Sequence, residues 1–152
     1  SSIGSDGLEK QEIDVNQVVL DLKKILFIPS HIKVKIQNKL PVVIGERAKI
    51  QQLFQNLISN AIKFNDKKRG LVEVDVSEKK SFYQFSIKDN GPGIEKKYHD
   101  KIFKIFHSLN KNNSSSGIGL AVVKKIVDLF NGEIWLESKL NEGATFYFTL
   151  KK

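Results

Sequence analysis

Two periods of apolar and polar residues run along the chain, and each predicts one kind of element. Alternation with period two is typical of strands that bury one face. It occurs in "IKVKIQNKL" (32–40), "LVEVDVS" (71–77), "FYQFSIKD" (82–89), "EIWLES" (133–138) and "ATFYFTL" (144–150). The first strand is expected to end at Pro41. The next two segments, separated by the polar "EKK", predict a hairpin, and the last two predict strands joined by a glycine-containing turn.

Apolar residues recur at three- and four-residue steps in two longer segments, which predicts two strong amphipathic helices. The first covers residues 46–64. The second begins near residue 119 and is closed by Asn131 and Gly132 in the usual left-handed cap position. Residues 10–26 predict a short strand and then a helix with Asn16 as its N-cap.

The remaining segments complete the predicted architecture. "KKYHDKIFKIF" (96–106) predicts a short helix, and "LNKNNSSS" (109–116) predicts a polar loop. Strands and helices therefore alternate, which predicts an α/β two-layer sandwich with one mixed, mostly antiparallel sheet and helices packed on one face. Residues 1–8 are expected to be a disordered linker or remnant, and residues 9–152 one domain with a hydrophobic core of its own.

Composition narrows the classes of partner. The 152 residues include 25 Lys and Arg against 17 Asp and Glu, which gives a net charge of +8. The lysines are scattered over predicted turns and polar faces, so we expect a solvated surface and no nucleic-acid site, although the charge attracts any polyanion. Cysteine is absent, which excludes disulfides and thiolate metal sites. No apolar run approaches the ~18 residues of a membrane span, so we expect a domain without membrane contact. It is expected to be cytoplasmic, either on its own or as the cytoplasmic part of a membrane-bound sensor.

The first strong helix carries a polar stripe beside its apolar face. At about 100° per residue, its members fall within one narrow sector. They are Gln52, Asn56, Asn60 and Lys63, with Phe64 next to them. Asparagine is a mediocre helix former, so two asparagines one turn apart have no stability rationale. An exposed polar face and a ligand site explain the stripe equally well. Amide oxygens suit Mg²⁺, and a lysine suits phosphate.

Two glycine-containing turns follow. "DNGPG" (89–93) comes directly after an alternating strand and is, taken alone, a good turn. "GIGL" (117–120) opens the second strong helix, where unpaired N–H groups and the helix dipole can bind phosphate. The second motif is neither a Walker A loop nor a GxGxxG fingerprint, and taken alone it is a weak signal that a plain helix start explains in most cases.

Taken in order, these motifs resemble the catalytic ATP-binding domain of the sensor histidine kinases of two-component systems. The motifs are "QLFQNLISNAIKF" (52–64), "DNGPGI" (89–94), "KIFKIF" (101–106), "SGIGLAVVKKIV" (116–127) and "NEGATFYFTL" (141–150). This Bergerat-fold superfamily also includes gyrase B subunits, MutL and the ninety-kilodalton chaperone. The resemblance covers nearly the whole chain from about residue 9, and it implies ATP and Mg²⁺ as cofactors.

The resemblance also implies roles for the helix stripe and the second glycine motif. Asn60 would ligate Mg²⁺ with help from Asn56, Lys63 would meet phosphate, and Phe64 would flank the adenine. Catalysis would rest on the first three of these residues. The backbone cradle for the phosphates would be formed by Gly117, Ile118, Gly119 and Leu120.

For the first glycine motif, the resemblance implies an adenine pocket. Asp89 would accept a hydrogen bond from the adenine amino group, because a buried acceptor rejects bases that lack the donor. Gly91 and Gly93 would keep the loop open, and Ile94 would line it. Thr145 would share a water with Asp89.

The motif "KIFKIF" (101–106), here called the lid motif, supplies the last residues with an implied role. Phe103 and Phe106 match the F box, which anchors the lid over the nucleotide, and Phe106 is expected to contact it.

One position separates the classes within this superfamily. The hydrolytic members carry a Glu four residues before the metal-binding Asn, and here that position is Asn56, which cannot act as a general base. Transfer of the γ-phosphate to a histidine is therefore favoured over hydrolysis. His31, His99 and His107 do not lie in a phosphoacceptor context, so we expect the acceptor in an upstream helical dimerisation domain of a homodimeric protein. The module alone is then not expected to phosphorylate itself, and a response regulator is the expected further partner.

Three alternatives stay open at this point. An anti-sigma-type serine protein kinase shares the same boxes. A degenerate binding module would no longer need nucleotide, and a nucleic-acid binder would use the positive charge.

Overall fold

The structure of the chain, a computed structural model, describes residues 2–3, 9–104 and 116–152. Within these residues the order of elements is β1 (Ser2–Ile3), β2 (Glu9–Asp14), α1 (Val15–Ile25), β3 (Ile32–Ile36), β4 (Val42–Gly45), α2 (Arg47–Lys63), β5 (Gly70–Glu78), β6 (Phe82–Asp89), α3 (Ser116–Leu129), β7 (Ile134–Lys139) and β8 (Gly143–Lys151). A single turn of 3₁₀ helix, Lys96–Tyr98, follows β6. The predicted boundary after residue 8 and residues 109–115 of the predicted polar loop lie outside the described residues. Ser116, the last residue of that predicted loop, is the first residue of α3.

The main sheet has five strands in the order β3-β5-β6-β8-β7. The β3–β5 pair is parallel, and the β5–β6, β6–β8 and β7–β8 pairs are antiparallel. The mixed, mostly antiparallel sheet and both predicted hairpins are therefore confirmed.

The helices pack on one face of this sheet. Phe54 of α2 makes edge contacts with Phe85 of β6 and Phe148 of β8, with ring centroids 5.5 and 5.2 Å apart, and all three side chains are fully buried. The other face of the sheet carries polar side chains around an open cleft, including Glu73, Asp75, Ser86, Lys88, Thr145 and Tyr147. This is the predicted two-layer arrangement.

A second, small sheet was not predicted from the sequence. It has the order β1-β2-β4, and β2 pairs with β4 in antiparallel register. The expectation of a single sheet is therefore wrong. The alternation of apolar and polar residues that would predict β4 is absent, because β4 is apolar on both faces. Val43 is buried, whereas Val42 and Ile44 are 53% and 55% exposed. A strand with apolar residues on both faces shows no alternation.

The helix boundaries differ from the sequence prediction at three places, one of which is the start of α3 at Ser116 instead of near residue 119. The N-cap of α1 is Asp14, whose carboxylate accepts from the backbone N–H of Gln17 at 3.1 Å. The predicted cap, Asn16, instead accepts from the backbone N–H of Leu40 at 3.0 Å and so anchors the segment before β4. The helix predicted for residues 96–106 is only a 3₁₀ turn in its described part.

The end of α3 follows the prediction. Asn131 has a φ of 58°, and the N–H of Gly132 donates to the carbonyl of Val127 at 2.9 Å. This is the left-handed cap that closes many helices.

Candidate functional site

The asparagine stripe of α2 faces the first turn of α3. Nδ2 of Asn56 donates to the carbonyl oxygen of Gly119 at 3.3 Å. Nδ2 of Asn60 is buried and has no hydrogen-bond partner within the described part of the chain. A Cβ placed on Gly119 would lie 3.8 Å from this atom, so the first turn of α3 passes directly over it. The structure thus brings together the two asparagines and the glycine motif, as the sequence predicted.

Nδ2 of Asn60 is a buried polar atom that no group of the described residues satisfies. A buried polar group without a partner costs about 1–3 kcal/mol, so native structures retain few of them. The O and N atoms of an amide are assigned from their surroundings, and a turn of the side chain brings the oxygen to the same place. Amide oxygens are ligands that Mg²⁺ accepts together with phosphate oxygens and waters. The residues present therefore fit a Mg²⁺–phosphate group.

Asp89 lies at the end of β6, on the same side of the sheet as the buried Ile87 two residues before it. Its carboxylate accepts from the backbone N–H of Gly91 at 2.9 Å. Burial raises the pKa of the Asp89 carboxyl above its ordinary value, and hydrogen bonds from the N–H groups of Gly91 and Ala144 partly offset this rise. A half-buried carboxylate beside a glycine is a strong acceptor for a donor group on a ligand.

The raised pKa of Asp89 predicts how stability depends on pH. The folded state binds the Asp89 proton more tightly than the unfolded state, whose value is near 3.8. Ionised Asp89 therefore lowers stability above that pH, and the penalty disappears as the carboxyl is protonated on acidification. We expect the wild type to gain stability relative to Asp89→Asn as the pH falls from 7 towards 4.

Urea unfolding of the two proteins across this pH range measures the difference, and groups common to both cancel. A wild type that loses stability relative to Asp89→Asn on acidification would contradict the assigned direction of the pKa shift.

The glycine loop after Asp89 lies between the end of α2 and the β7–β8 turn. A Cβ on Gly91 would come within 3.0 Å of Oδ1 of Asp89 and 3.6 Å of the carbonyl oxygen of Phe64. Gly93 has a φ of 76°, which disfavours other residues, and a Cβ there would collide with the carbonyl oxygen of Lys139. Gly93 is therefore required by the close approach of the Lys139 backbone, whereas a side chain at Gly91 would have to displace the Asp89 carboxylate.

Thr145 does not join Asp89. The register of β6 and β8 places Asp89 opposite Ala144 and Thr145 opposite Lys88. Successive side chains of a strand point to opposite faces, so Thr145 faces the open cleft together with Lys88 and Tyr147. The prediction that Thr145 shares a water with Asp89 is wrong. The group of β8 that reaches the Asp89 carboxylate is the backbone N–H of Ala144.

Comparison with known proteins decides the family. The model of the histidine kinase-, DNA gyrase B-, and HSP90-like ATPase family matches residues 45–152. The chain belongs to this ATPase family. The resemblance seen in the sequence motifs is thereby confirmed, and ATP is the nucleotide that such a domain uses.

Individual relatives of the ATPase domain point to sensor kinases. The chain is 39% identical over 158 residues to cyanobacterial phytochrome B from Nostoc sp., which covers 99% of the chain and 21% of that protein. It is 32% identical over 155 residues to the adaptive-response sensory kinase SasA from Prochlorococcus marinus, which covers 95% of the chain and 41% of that protein. The chain thus spans about a fifth of the first relative and two fifths of the second.

Solved structures agree with the fold of the ATPase domain. The catalytic domain of histidine kinase ThkA superposes with a TM-score of 0.77 at 25% identity, over 95% of this chain and 96% of that one. A mycobacterial sensor histidine kinase, MprB, superposes with a TM-score of 0.79 at 21% identity, over 94% and 97%. The two-layer fold is therefore confirmed.

The other predicted site residues lie at the end of α2, in the first turn of α3 and against the core. Lys63 is exposed, and its Nζ lies 5.8 Å from the centre of the Phe64 ring, at the end of α2. Leu120 is buried, and Ile94 packs partly buried against the core. Gly117 and Ile118 belong to the first turn of α3.

The described half of the lid motif packs against the sheet. Phe103 contacts Phe146 edge-on, with ring centroids 6.0 Å apart. Phe106 lies outside the described residues, so its predicted contact with nucleotide stays a prediction.

Two asparagines that the sequence reading did not use connect the parts of the site. Oδ1 of Asn90 accepts from Nδ2 of Asn65 and from the backbone N–H of Leu71, each at 2.8 Å, and its Nδ2 donates to the carbonyl of Arg69 at 3.0 Å. The end of α2, the start of β5 and the glycine loop are thus held by one side chain. Its position inside the "DNGPG" motif was the only sequence signal.

No helix in the described ranges combines the length and the apolar character needed to cross a membrane.

Proposed function

We propose that this ATPase domain binds Mg²⁺-ATP and donates the γ-phosphate to a histidine on an adjoining helical domain of the same, homodimeric protein, in two-component signal transduction. The observation that carries the proposal is the buried, unsatisfied amide of Asn60 under the first turn of α3. It marks the point where a cation and phosphate oxygens would complete the site. Sensory kinases among the relatives support the same reaction.

Asn60 would hold Mg²⁺ through its amide oxygen, with Asn56 next to it and Lys63 as a cation for phosphate. When bound, Mg²⁺ neutralises charge on the β- and γ-phosphates. Nδ2 of Asn56 donates to the carbonyl oxygen of Gly119, which leaves its amide oxygen as the atom that would face the cation. The first turn of α3 would offer the N–H groups of Gly117, Ile118 and Gly119 to the phosphates, where the helix dipole favours negative charge, while the N–H of the buried Leu120 already lies within the helical ladder.

Asp89 would select adenine. Its carboxylate is held by the N–H groups of Gly91 and Ala144, which leaves acceptor capacity for the exocyclic amino group. Gly91 and Gly93 leave room for the base, and Phe64 and Ile94 would flank it. A base without this donor would leave the carboxylate unpaired, which is the strongest form of discrimination by a binding site.

Transfer is favoured over hydrolysis because Asn56 occupies the position of the general base in the hydrolytic members. An amide cannot take a proton from water. The chain's contribution would then be positioning and charge neutralisation, which suffice for phosphoryl transfer to a nucleophile supplied by another domain. A response regulator would receive the phosphoryl group afterwards.

Incubation with γ-labelled ATP and Mg²⁺ tests this assignment. We expect the isolated domain to bind ATP without becoming labelled, and the full-length protein to acquire an acid-labile, base-stable phosphate, as phosphohistidine does. The isolated domain serves as its own control for adventitious labelling. A stoichiometric acid-labile phosphate on the isolated domain would contradict the proposal, and an acid-stable phosphoserine on a partner protein would favour the serine-kinase alternative.

A further inference from the structure

The glycine loop after Asp89 is fixed by the turn between β7 and β8. We name residues 90–94 the adenine loop and residues 139–143 the β7–β8 turn. The backbone N–H of Asn141 donates to the carbonyl of Pro92 at 2.6 Å. Gly93 approaches Lys139 so closely that a Cβ would collide with the Lys139 carbonyl oxygen. The two segments are therefore in direct backbone contact, and the position of one depends on the other.

A single side chain joins both segments. Ser138 lies near the end of β7, just before the β7–β8 turn. Its hydroxyl accepts from the backbone N–H of Ile94 at 2.7 Å. The same hydroxyl donates to the carbonyl oxygen of Gly143 at 3.0 Å. The carbonyl fixes the direction of the hydroxyl hydrogen, so a lone pair is left for the Ile94 N–H. Ser138 thus ties the end of the adenine loop to the far end of the turn.

His99 holds the backbone carbonyl of Ile94, whose N–H is held by Ser138. Nε2 of His99 lies 2.8 Å from the carbonyl oxygen of Ile94, and a carbonyl can only accept, so the ring nitrogen donates. Ile94 is therefore anchored at both its N–H and its C=O. Of these two anchors, the Ser138 bond is the one that connects to β8.

The β7–β8 turn also determines the position of Asp89. A Cβ on Gly143 would collide with the carbonyl oxygen of Asp89, and the next residue, Ala144, donates its N–H to the Asp89 carboxylate. Asp89 and the adenine loop are thus both held in position by contacts with the β7–β8 turn. Ser138 is the only side chain in the described residues whose hydroxyl bonds to both the adenine loop and this turn.

We propose that Ser138 is a positioning residue for adenine selectivity, an inference that rests on the proposed function. It acts through Ile94 and Gly143 to hold the adenine loop at a fixed distance from the Asp89 carboxylate. A recognition site needs its acceptor placed to within a fraction of an ångström, and supporting hydrogen bonds supply that precision. Loss of the Ser138 hydroxyl would leave the Ile94 N–H unpaired and allow the loop to shift. Binding of adenine would suffer, and binding of the phosphates would not.

The experiment compares Ser138→Val with Ser138→Thr, which differ by the hydroxyl at nearly constant shape and are both suited to a strand. ATP and GTP affinities are measured by titration in Mg²⁺, together with the thermal midpoint of each protein. For Ser138→Val we expect the ratio of ATP to GTP affinity to fall about tenfold, as for a lost buried hydrogen bond. Ser138→Thr should keep the ratio within about twofold. Ser86→Val is the control, because Ser86 of β6 lines the cleft on the open face of the sheet, and it should behave as wild type.

An unchanged ratio in Ser138→Val, or equal losses in the Val and Thr variants, would overturn the role of Ser138 while leaving ATP binding by the wild type intact. A wild type that fails to prefer ATP over GTP would instead overturn the proposed function and this inference with it. If Ser138→Val does not fold, Ser138→Ala removes the hydroxyl without adding a methyl group and is judged by the same ratio.

Discussion

Asp89→Asn is expected to weaken ATP binding about a hundredfold, which corresponds to about 3 kcal/mol for a hydrogen bond to a charged group. The carboxylate is half-buried and held by the N–H groups of Gly91 and Ala144, so an adenine amino group would meet a preorganised acceptor. An amide can rotate to keep one of these contacts but presents a donor to the base. Titration of the variant with ATP in Mg²⁺ measures the loss.

The same variant is expected to fold normally. Burial disfavours the ionised carboxyl, so its replacement by a neutral amide removes a cost in the folded state. Asp75→Asn is the matched control, because Asp75 lies on the open face of the sheet, where it accepts from Nδ2 of Asn38 at 2.9 Å. Unchanged ATP affinity in Asp89→Asn, with the control also unchanged, would show that the adenine assignment is wrong.

Asn60→Ala is expected to remove the Mg²⁺-dependent part of ATP binding and to slow phosphotransfer by the full-length protein at least about a hundredfold, the usual effect of losing one group that stabilises developing charge. Nδ2 of its buried amide has no partner among the described residues, so truncation removes no hydrogen bond that this atom donates there. We therefore expect a free energy of unfolding within about 1 kcal/mol of the wild type. ATP titrations with Mg²⁺ and with EDTA, and urea unfolding, check the two expectations separately.

Gln55→Ala is the control for Asn60→Ala, because it also removes an amide from α2 but is about 140° around the helix from Asn60 at about 100° per residue. It lines a cleft with Gln52 and Asn56 and does not reach Asn60. It should retain the difference between Mg²⁺ and EDTA. If Asn60→Ala also retains that difference, Asn60 does not hold the metal.

The site could be predicted from the sequence where it depends on spacing within one element. Asn56 and Asn60 lie one turn apart on α2, and the rule of 100° per residue placed them on one side of the helix. Spacing within α2 could not predict that Gly119 lies close to Asn60, because this depends on the packing of α3 against α2. Only the resemblance to a known family indicated that these two helices meet.

Strand register explains the error at Thr145. A shift of one residue moves a side chain to the other face of a sheet. The motif "GATF" contains one threonine, and only the observed pairing of Asp89 with Ala144 shows that it faces away from the carboxylate. The order of residues in a motif does not specify which face each of them occupies.

Contacts between distant segments were not accessible from the sequence. Ser138 and Ile94 are 44 positions apart, and a lone serine in an alternating strand gives no indication of its partner. The small sheet was missed for a related reason, because β4 is stabilised by pairing with β2 and carries apolar residues on both faces.

The most direct test of the account is a titration of the isolated wild-type domain with ATP and with GTP in the presence of Mg²⁺. If Asp89 selects adenine and Asn60 holds Mg²⁺, the domain will bind ATP saturably and GTP more weakly, and its affinity for ATP will fall in EDTA. Equal affinity for ATP and GTP, or ATP binding that does not change when Mg²⁺ is removed, would contradict it.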